Sequence, residues 1–519
     1  MLEFCSYEFP LPLWALLLIL LIITQLISQY YHNALQRHRG PFLASFTNLW
    51  RLWHAYRNSY REPMIHMHEK YGDIVRMGPN VLSFSQPQAI SDIYGPGKQF
   101  KKSDYYPVNA AVSRGRMAHT LFSSPDQIWH RQLRKSIGSA FTVGAVARYE
   151  YLVDNTVRIY LDVLDKRYSG KRGSEGIIDL HTSLLHFAFD VIGDLTYGTR
   201  HGFIESGKDL NGIINYVVSF LNYGFITGQM PIIDLFLRHN PVLMLLERKG
   251  LYRGSTFPGV PFALRWLRER QRRYDIGLSK EGSDNREDLL DQFLKARREN
   301  PDIVTEQEVL GLSLSMMIAG GETTAITLTA FFYYLLRNPC CYAKLQHELD
   351  TRLPNTPSGE MFCDTRYADA RSLPYLNACF QETFRMHPAF GFNYERVVGP
   401  SGTTICGTFV PGGTIVGVNP WVVQRDPGIY GRDSHIYRPE RWLEASNEKV
   451  KEMGRILFQF GAGEHICLGK NISILEMYKL VPCLMKTFYI ELESPEKEWT
   501  LFNGANVRMS GVSIRINRR

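Results

Sequence analysis

From Phe9 to Ile27 the chain reads FPLPLWALLLILLIITQLI, a run without a charged residue. An α-helix needs about 20 apolar residues to cross a hydrocarbon layer of about 30 Å, so this run predicts a single membrane-spanning helix. Glu3 and Glu8 precede it, and His32, Arg37, His38 and Arg39 follow it, an asymmetry that keeps the downstream chain in the cytosol. The competing reading is a cleaved signal peptide. Against it, no basic segment precedes the run and no small-residue cleavage site follows it. The stretch RHRGPF, residues 37–42, reads as a stop and a stiff turn, which divides the chain into an anchor with its basic linker, 1–39, and one large domain, 40–519.

Past that turn the apolar positions take a helical period along most of the chain. Alternating Val, Ile, Thr and Gly near 74–86, and again between about 393 and 420, predict short strands. The longest helix opens on Thr305-Glu306-Gln307-Glu308, a capping box, and stops at Asn338-Pro339. Some thirty residues at about 1.5 Å each make a rod near 50 Å long. Another helix runs from about Ser372 to His387, and a third starts just after Cys467. The fold class is mainly α with small sheets.

Composition narrows the function classes. Hydrophobic residues at 45% and charged residues at 21% are globular values, and no linker or repeat divides the large domain. Lys and Arg number 59 against 51 Asp and Glu, a net +8 spread along the chain. Such a mild excess suits an acidic partner or an anionic membrane surface better than a nucleic-acid groove. The eight cysteines show no regular spacing, which predicts free thiols on the cytosolic side and leaves no CxxC pairs to build a zinc site.

Three constellations carry candidate chemistry. The first is AGGETT, Ala319 to Thr324, inside the long helix. Two adjacent interior glycines cost about 1 kcal/mol each relative to alanine, and Glu322 and the threonines place polar groups between apolar flanks. Either the glycines admit a crossing helix while the threonines bond back to the preceding turn, or the helix opens locally to present a hydroxyl and a carboxylate to a small ligand. The second is ETFR, where Glu382 and Arg385 share a helix face and Arg441, in YRPERW, is available to complete a buried network. The third is FQFGAGEHICLGKNIS, which holds Cys467 in a glycine loop before a helix N-terminus. Both features lower a thiol pKa and prepare a thiolate ligand, whereas an isolated cysteine can equally be structural.

Taken in order, FGAGEHICLG, AGGETT, ETFR and YRPERW resemble the cysteine loop, oxygen-binding helix, ExxR and PERF-type segments of the cytochromes P-450. The resemblance covers practically the whole chain, anchor included. The segment CLGKNISILEMYKLVPCLMK looks like the filamentous-fungal, pisatin-demethylase-like branch. What the resemblance implies is a cytochrome P-450 catalytic domain over 40–519. It implies haem b with Cys467 as axial thiolate, the property that favours O–O cleavage over oxygen carriage. Phe460 belongs to the cysteine loop, and the haem propionates fall to His130, Arg134 and Arg396. His465 stands where many family members carry arginine, so it loses the bidentate fork and its charge is open. Trp129 precedes His130, which shifts the usual tryptophan-to-arginine spacing by one.

By the same resemblance, Thr323 and Glu322 are the catalytic pair that holds and protonates dioxygen, Glu322 linking to solvent. The partners implied are NADPH-cytochrome P-450 reductase, dioxygen, a lipophilic substrate and the endoplasmic reticulum membrane, crossed once with the domain facing the cytosol. The activity implied is monooxygenation, in fungal secondary metabolism. Two other readings stay open: a reductase-independent haem-thiolate isomerase or peroxygenase, and a membrane haem protein that binds a lipophile without turnover. Residues around Ser113–Phe122, Ile213–Ile226, His387–Asn393 and Phe502–Asn506 are expected to wall the substrate pocket.

Overall fold

The structure, a computed structural model, describes residues 13–98, 100–254, 256–275, 287–354 and 365–519. Glu3, Glu8, the start of the apolar run at Phe9, Cys5 and Cys363 lie outside the described residues. The anchor helix, Leu13–Tyr31, buries none of its residues against the protein. It is long and apolar enough to cross a membrane.

Helices build most of the domain. The long helix, Glu306–Leu336, runs through its centre. Thr305 caps it by accepting from the Glu308 N–H, while its hydroxyl donates to the Glu308 carboxylate. This half of the expected capping box suffices, and Asn338-Pro339 ends the rod by starting the next helix, Pro339–Arg352. The long helix packs along the helix Leu180–Tyr197, which is buried on nearly every face. The ETFR helix spans Pro374–Met386, and the helix after Cys467, here the cysteine helix, spans Lys470–Thr487. Residues from all four join the largest apolar core.

The strands expected near 74–86 and 393–420 form one five-stranded sheet in the order Ile74–Gly78, Val81–Phe84, Ile415–Val418, Arg396–Val397, Lys101–Lys102. Its pairing brings Lys102 directly opposite Arg396. Two further pieces of sheet lie at the C-terminus. Phe488–Leu492 pairs with Ser513–Arg518, and Thr500–Asn503 pairs with Val507–Ser510 as a hairpin. The helical period of the surrounding chain concealed them.

Candidate active site

In the AGGETT segment the helix stays regular α throughout; the local opening does not occur. Each interior glycine faces the helix Leu180–Tyr197. A Cβ on Gly320 would run into Ile192, and one on Gly321 would lie 2.5 Å from the Phe189 ring. The glycines are therefore packing residues, and their helical cost is offset by the close approach of two helices. Thr323 bonds back, donating to the Ala319 carbonyl at 2.8 Å, yet its side chain also lines a cavity of about 1090 Å³. Thr324 lines the cavity as well and reaches the cysteine helix, its hydroxyl 3.1 Å from that of Ser473.

Glu322 turns away from Thr323. It is buried, accepts from Asn506 Nδ2 at 2.9 Å and lies 3.3 Å from Arg508 Nε, both on the C-terminal hairpin. Burial raises its carboxyl above the ordinary value, with Arg508 and Asn506 opposing. Arg508 is partly exposed, so this pair reaches toward solvent.

The cysteine loop lies across the cavity from the long helix. Gly463, at φ +62°, approaches the Tyr94 carbonyl so closely that a side chain would not fit. The Cys467 N–H donates to the Phe460 carbonyl at 2.8 Å, and the sulphur opens into the cavity beneath the protein surface. Burial is the largest influence on the thiol and pushes it above its ordinary value, while the N–H groups of Gly469 and Lys470 and the charge of Arg134 act the other way. The glycine loop and helix terminus had predicted a lowered thiol; among the protein's own groups burial outweighs them. A metal ion at the sulphur reverses that balance, because a coordinating thiol is deprotonated outright.

Three cations meet beside the sulphur. Arg134 comes from the helix Gln127–Ile137, whose N-terminus Asp126 caps, and Arg396 and Lys102 from paired strands. Arg396 donates to the Tyr106 hydroxyl at 2.8 Å, and Lys102 to the carbonyls of Leu121 and Phe122 at 2.6 and 2.8 Å. Among the described residues none of the three pairs with a carboxylate. Glu395, the neighbouring acid, turns instead to Arg51 and Ser103. Burial, with Arg396 and Arg134 nearby, lowers Lys102 to about 7. Sequence reasoning missed Lys102, because its only signal is a strand register.

His130 and His465 complete this wall, with Nε2 of one 3.3 Å from Nδ1 of the other. Burial and the adjacent cations lower His130 to about 3 and His465 to about 2, so both rings are neutral at pH 7. Phe460 lines the same cavity and packs edge-on against Phe384. Seven of the eight site residues expected from sequence thus share one cavity, and Glu322 stands behind its wall. Ser113–Phe122, Tyr216, Phe220 and Ala389–Phe392 contribute to the lining; Phe502–Asn506 does not, serving Glu322 and Asn58 instead.

The network expected behind the loop is present. Arg385 reaches Glu382 through two bonds of 2.9 and 2.8 Å, and Arg441 Nε joins at 3.0 Å. Trp442 adds an indole N–H at 2.9 Å. Gln424 then bridges from the Phe384 carbonyl to the N–H of Phe458, at the start of the cysteine loop.

The residues present fit a haem. An apolar cavity with three cations and no paired acid suits a flat apolar ring bearing two carboxylates, and a sulphur opening into it suits an axial iron ligand. The comparisons agree. The family model Cytochrome P450 matches residues 39–514. A cytochrome P450 monooxygenase of Aspergillus terreus is 37% identical over 86% of this chain and 89% of its own. The cytochrome P450 monooxygenase cicH of Emericella nidulans is 36% identical over 92% and 93%. The longer mpaDE of Penicillium roqueforti is 34% identical over 99% of this chain and 58% of its own. The chain belongs to the cytochrome P450 family, whose cofactor is a haem-thiolate, and it is a monooxygenase.

Proposed function

We propose that this protein oxidises a lipophilic small molecule with dioxygen and with electrons that NADPH-cytochrome P450 reductase delivers from NADPH. The observation that carries the reading is one apolar cavity holding Cys467, Thr323 and three cations that pair with no carboxylate among the described residues. Bound through the Cys467 sulphur, haem b supplies the activation of dioxygen and the oxidation of a C–H bond. Lys102, Arg134 and Arg396 would hold its propionates, the hydrogen-bonded pair of neutral His130 and His465 would leave one ring N–H for them, and Phe460 would pack beside the ring. The domain over 40–519 is the catalytic unit. Residues 1–39 anchor it in the endoplasmic reticulum membrane, facing the cytosol, and the fungal relatives favour a role in fungal secondary metabolism.

The chain's own part in the chemistry is to orient the substrate, exclude water and move protons. Thr323 Oγ1 rests on the Ala319 carbonyl, leaving its lone pairs toward the cavity to accept from water. A rotation about χ1 frees its proton for donation. Glu322 is held behind the wall by Asn506 and the partly exposed Arg508, and burial favours its neutral form; a turn of its side chain past Thr323 would bring that proton to water in the cavity.

Co-expression with a fungal reductase tests the assignment. The reduced carbon-monoxide complex should show the Soret band of thiolate ligation, and Cys467→Ala should lose that band or the haem. Lipophilic candidates are then fed and products read by mass. Turnover driven by peroxide alone would favour the reductase-independent reading, and spectral binding without NADPH consumption the non-catalytic one.

A further inference from the structure

Away from the cysteine, the cavity wall carries another cation, half-buried. Arg238 follows the helix Ile213–Gly228 and the turn Pro231–Phe236 and lines the same cavity as Thr323. Its guanidinium lies 4.5 Å from the Phe220 ring centre and 4.0 Å from that of Tyr223. Ring faces offset part of the cost of desolvating a cation but leave its planar fork of donors unfilled. The backbone N–H of Arg238 is used, on the Tyr223 hydroxyl at 3.2 Å. Its side chain donates to no acceptor among the described residues, and Nη1 is buried without a partner.

The acid closest to hand is already engaged. Asp234 accepts from the Tyr223 hydroxyl and from His239 Nδ1, both through short bonds. Its charge and the two tyrosines support Arg238 from a distance, while burial dominates and holds the guanidinium below its ordinary value. His119, also in the cavity wall, has a buried Nδ1 with no partner. A guanidinium nitrogen left unfilled in an aromatic wall is expensive unless a ligand supplies the acceptor. A doubly charged, strongly hydrated phosphate suits such a wall poorly. A carboxylate is planar, singly charged and matched to the guanidinium fork.

We infer that Arg238 is the specificity-determining residue of this enzyme, receiving the carboxylate of an otherwise lipophilic acid whose apolar body fills the cavity that contains Thr323. This rests on reading the cavity as the substrate chamber of a haem enzyme. That reading fails by loss of the thiolate band, whereas the present one fails with the band intact.

The test uses the full-length holoenzyme in detergent and follows substrate-type spectral shifts. The probes are 4-biphenylcarboxylic acid and dodecanoic acid, each against its methyl ester. Both acids should bind at least about tenfold more tightly than their esters, as a charge-assisted bond implies. Arg238→Gln should bring acid and ester to equal affinity while the ester's own affinity and the haem content stay unchanged. Arg238→Lys guards against misfolding: it keeps the charge, so haem loading survives, but loses the two-point fork, so the preference falls. Equal binding of acid and ester by the unaltered enzyme overturns the inference, as does failure of both acids to bind. An undiminished acid preference in the variants overturns it too, and equal weakening of acid and ester by Arg238→Gln would reduce Arg238 to a packing residue.

Discussion

Truncating the Glu382–Arg385–Arg441 network one member at a time should give three unequal losses, and the order follows from the bonds each variant leaves. Glu382 and Arg385 are fully buried and Arg441 nearly so. Glu382→Ala removes the acceptor of both guanidinia. Arg385 keeps carbonyls, including that of Ile436 at 3.1 Å, and the Met386 sulphur, and Arg441 keeps Asp433 at 3.1 Å. An uncompensated buried charge costs about 3–5 kcal/mol, and this variant belongs at the top of that range. Arg385→Ala leaves Glu382 with Arg441, Trp442 and the Arg438 N–H at 2.9 Å, and the Ile436 carbonyl with Arg441, but strips the charged donor from the Ser434 and Gln424 carbonyls, which places it lower in the same range. Arg441→Ala leaves Glu382 its bidentate partner and leaves Asp433 exposed enough to hydrate, so about 1.5–3 kcal/mol is expected. Set against a typical stability of about 5–15 kcal/mol, the first two should express little holoprotein and the third a reduced but usable amount. Holoprotein yield and the half-life of the thiolate band at fixed temperature read the order, since a membrane-anchored haem protein is best compared by rate. Glu382→Ala/Arg385→Ala should cost much less than the sum of the singles, because each single already destroys the shared pair. Arg441→Ala failing as badly as Glu382→Ala, or Arg385→Ala loading haem at the unaltered level, would refute the reasoning.

Thr323→Ala removes one oxygen and slightly improves helix propensity, so haem and the thiolate band should survive while product formed per NADPH consumed falls and hydrogen peroxide release rises. Positioned proton transfer is worth about a hundredfold or more, and an unchanged ratio would leave Thr323 a packing residue. Lys102→Met removes a buried cation that no carboxylate pairs, so the haem-free protein should melt higher while the holoprotein loses haem faster to an acceptor such as apomyoglobin; slower loss would exclude Lys102 from the propionates. Deleting residues 1–31 should make the protein extractable by carbonate. Some salt-resistant attachment should remain through Trp53, Phe236 and Leu251, which are exposed.

What could be read from the chain was what local spacing encodes. The anchor, the long helix, the ETFR face and the cysteine loop each fit within a short window, and each lies where the pattern put it. Lys102 could not be read, because only strand pairing sets it opposite Arg396. Arg508 and Asn506 were hidden for the same reason: nothing in a hairpin's sequence says which buried acid it will meet. The thiol's direction was misjudged because glycine N–H groups are visible in sequence and burial is not. Whether the helix opens or is crossed could not be read, because an adjacent glycine pair suits both, and the contacts with Ile192 and Phe189 decide for the crossing.

The shortness of AGGETT has a geometric cause. Successive residues of an α-helix are turned by about 100°, so four in a row look out in four directions. Gly321 faces Phe189 on the neighbouring helix, and Glu322 faces Asn506 and Arg508 on the hairpin. Thr323 faces the cavity, and Thr324 faces Ser473 on the cysteine helix. A central rod can thus contact a packing helix, a partly exposed hairpin arginine, the cavity and the helix that follows Cys467 within about a single turn. Such a segment tolerates no insertion, since one added residue would rotate the hydroxyl out of the cavity and drive a side chain into the place of a glycine. The bond between Thr324 and Ser473 has a further consequence. It ties the turn that carries Thr323 to the helix that follows Cys467, so the hydroxyl proposed to handle protons and the sulphur opening into the cavity are linked through one hydrogen bond.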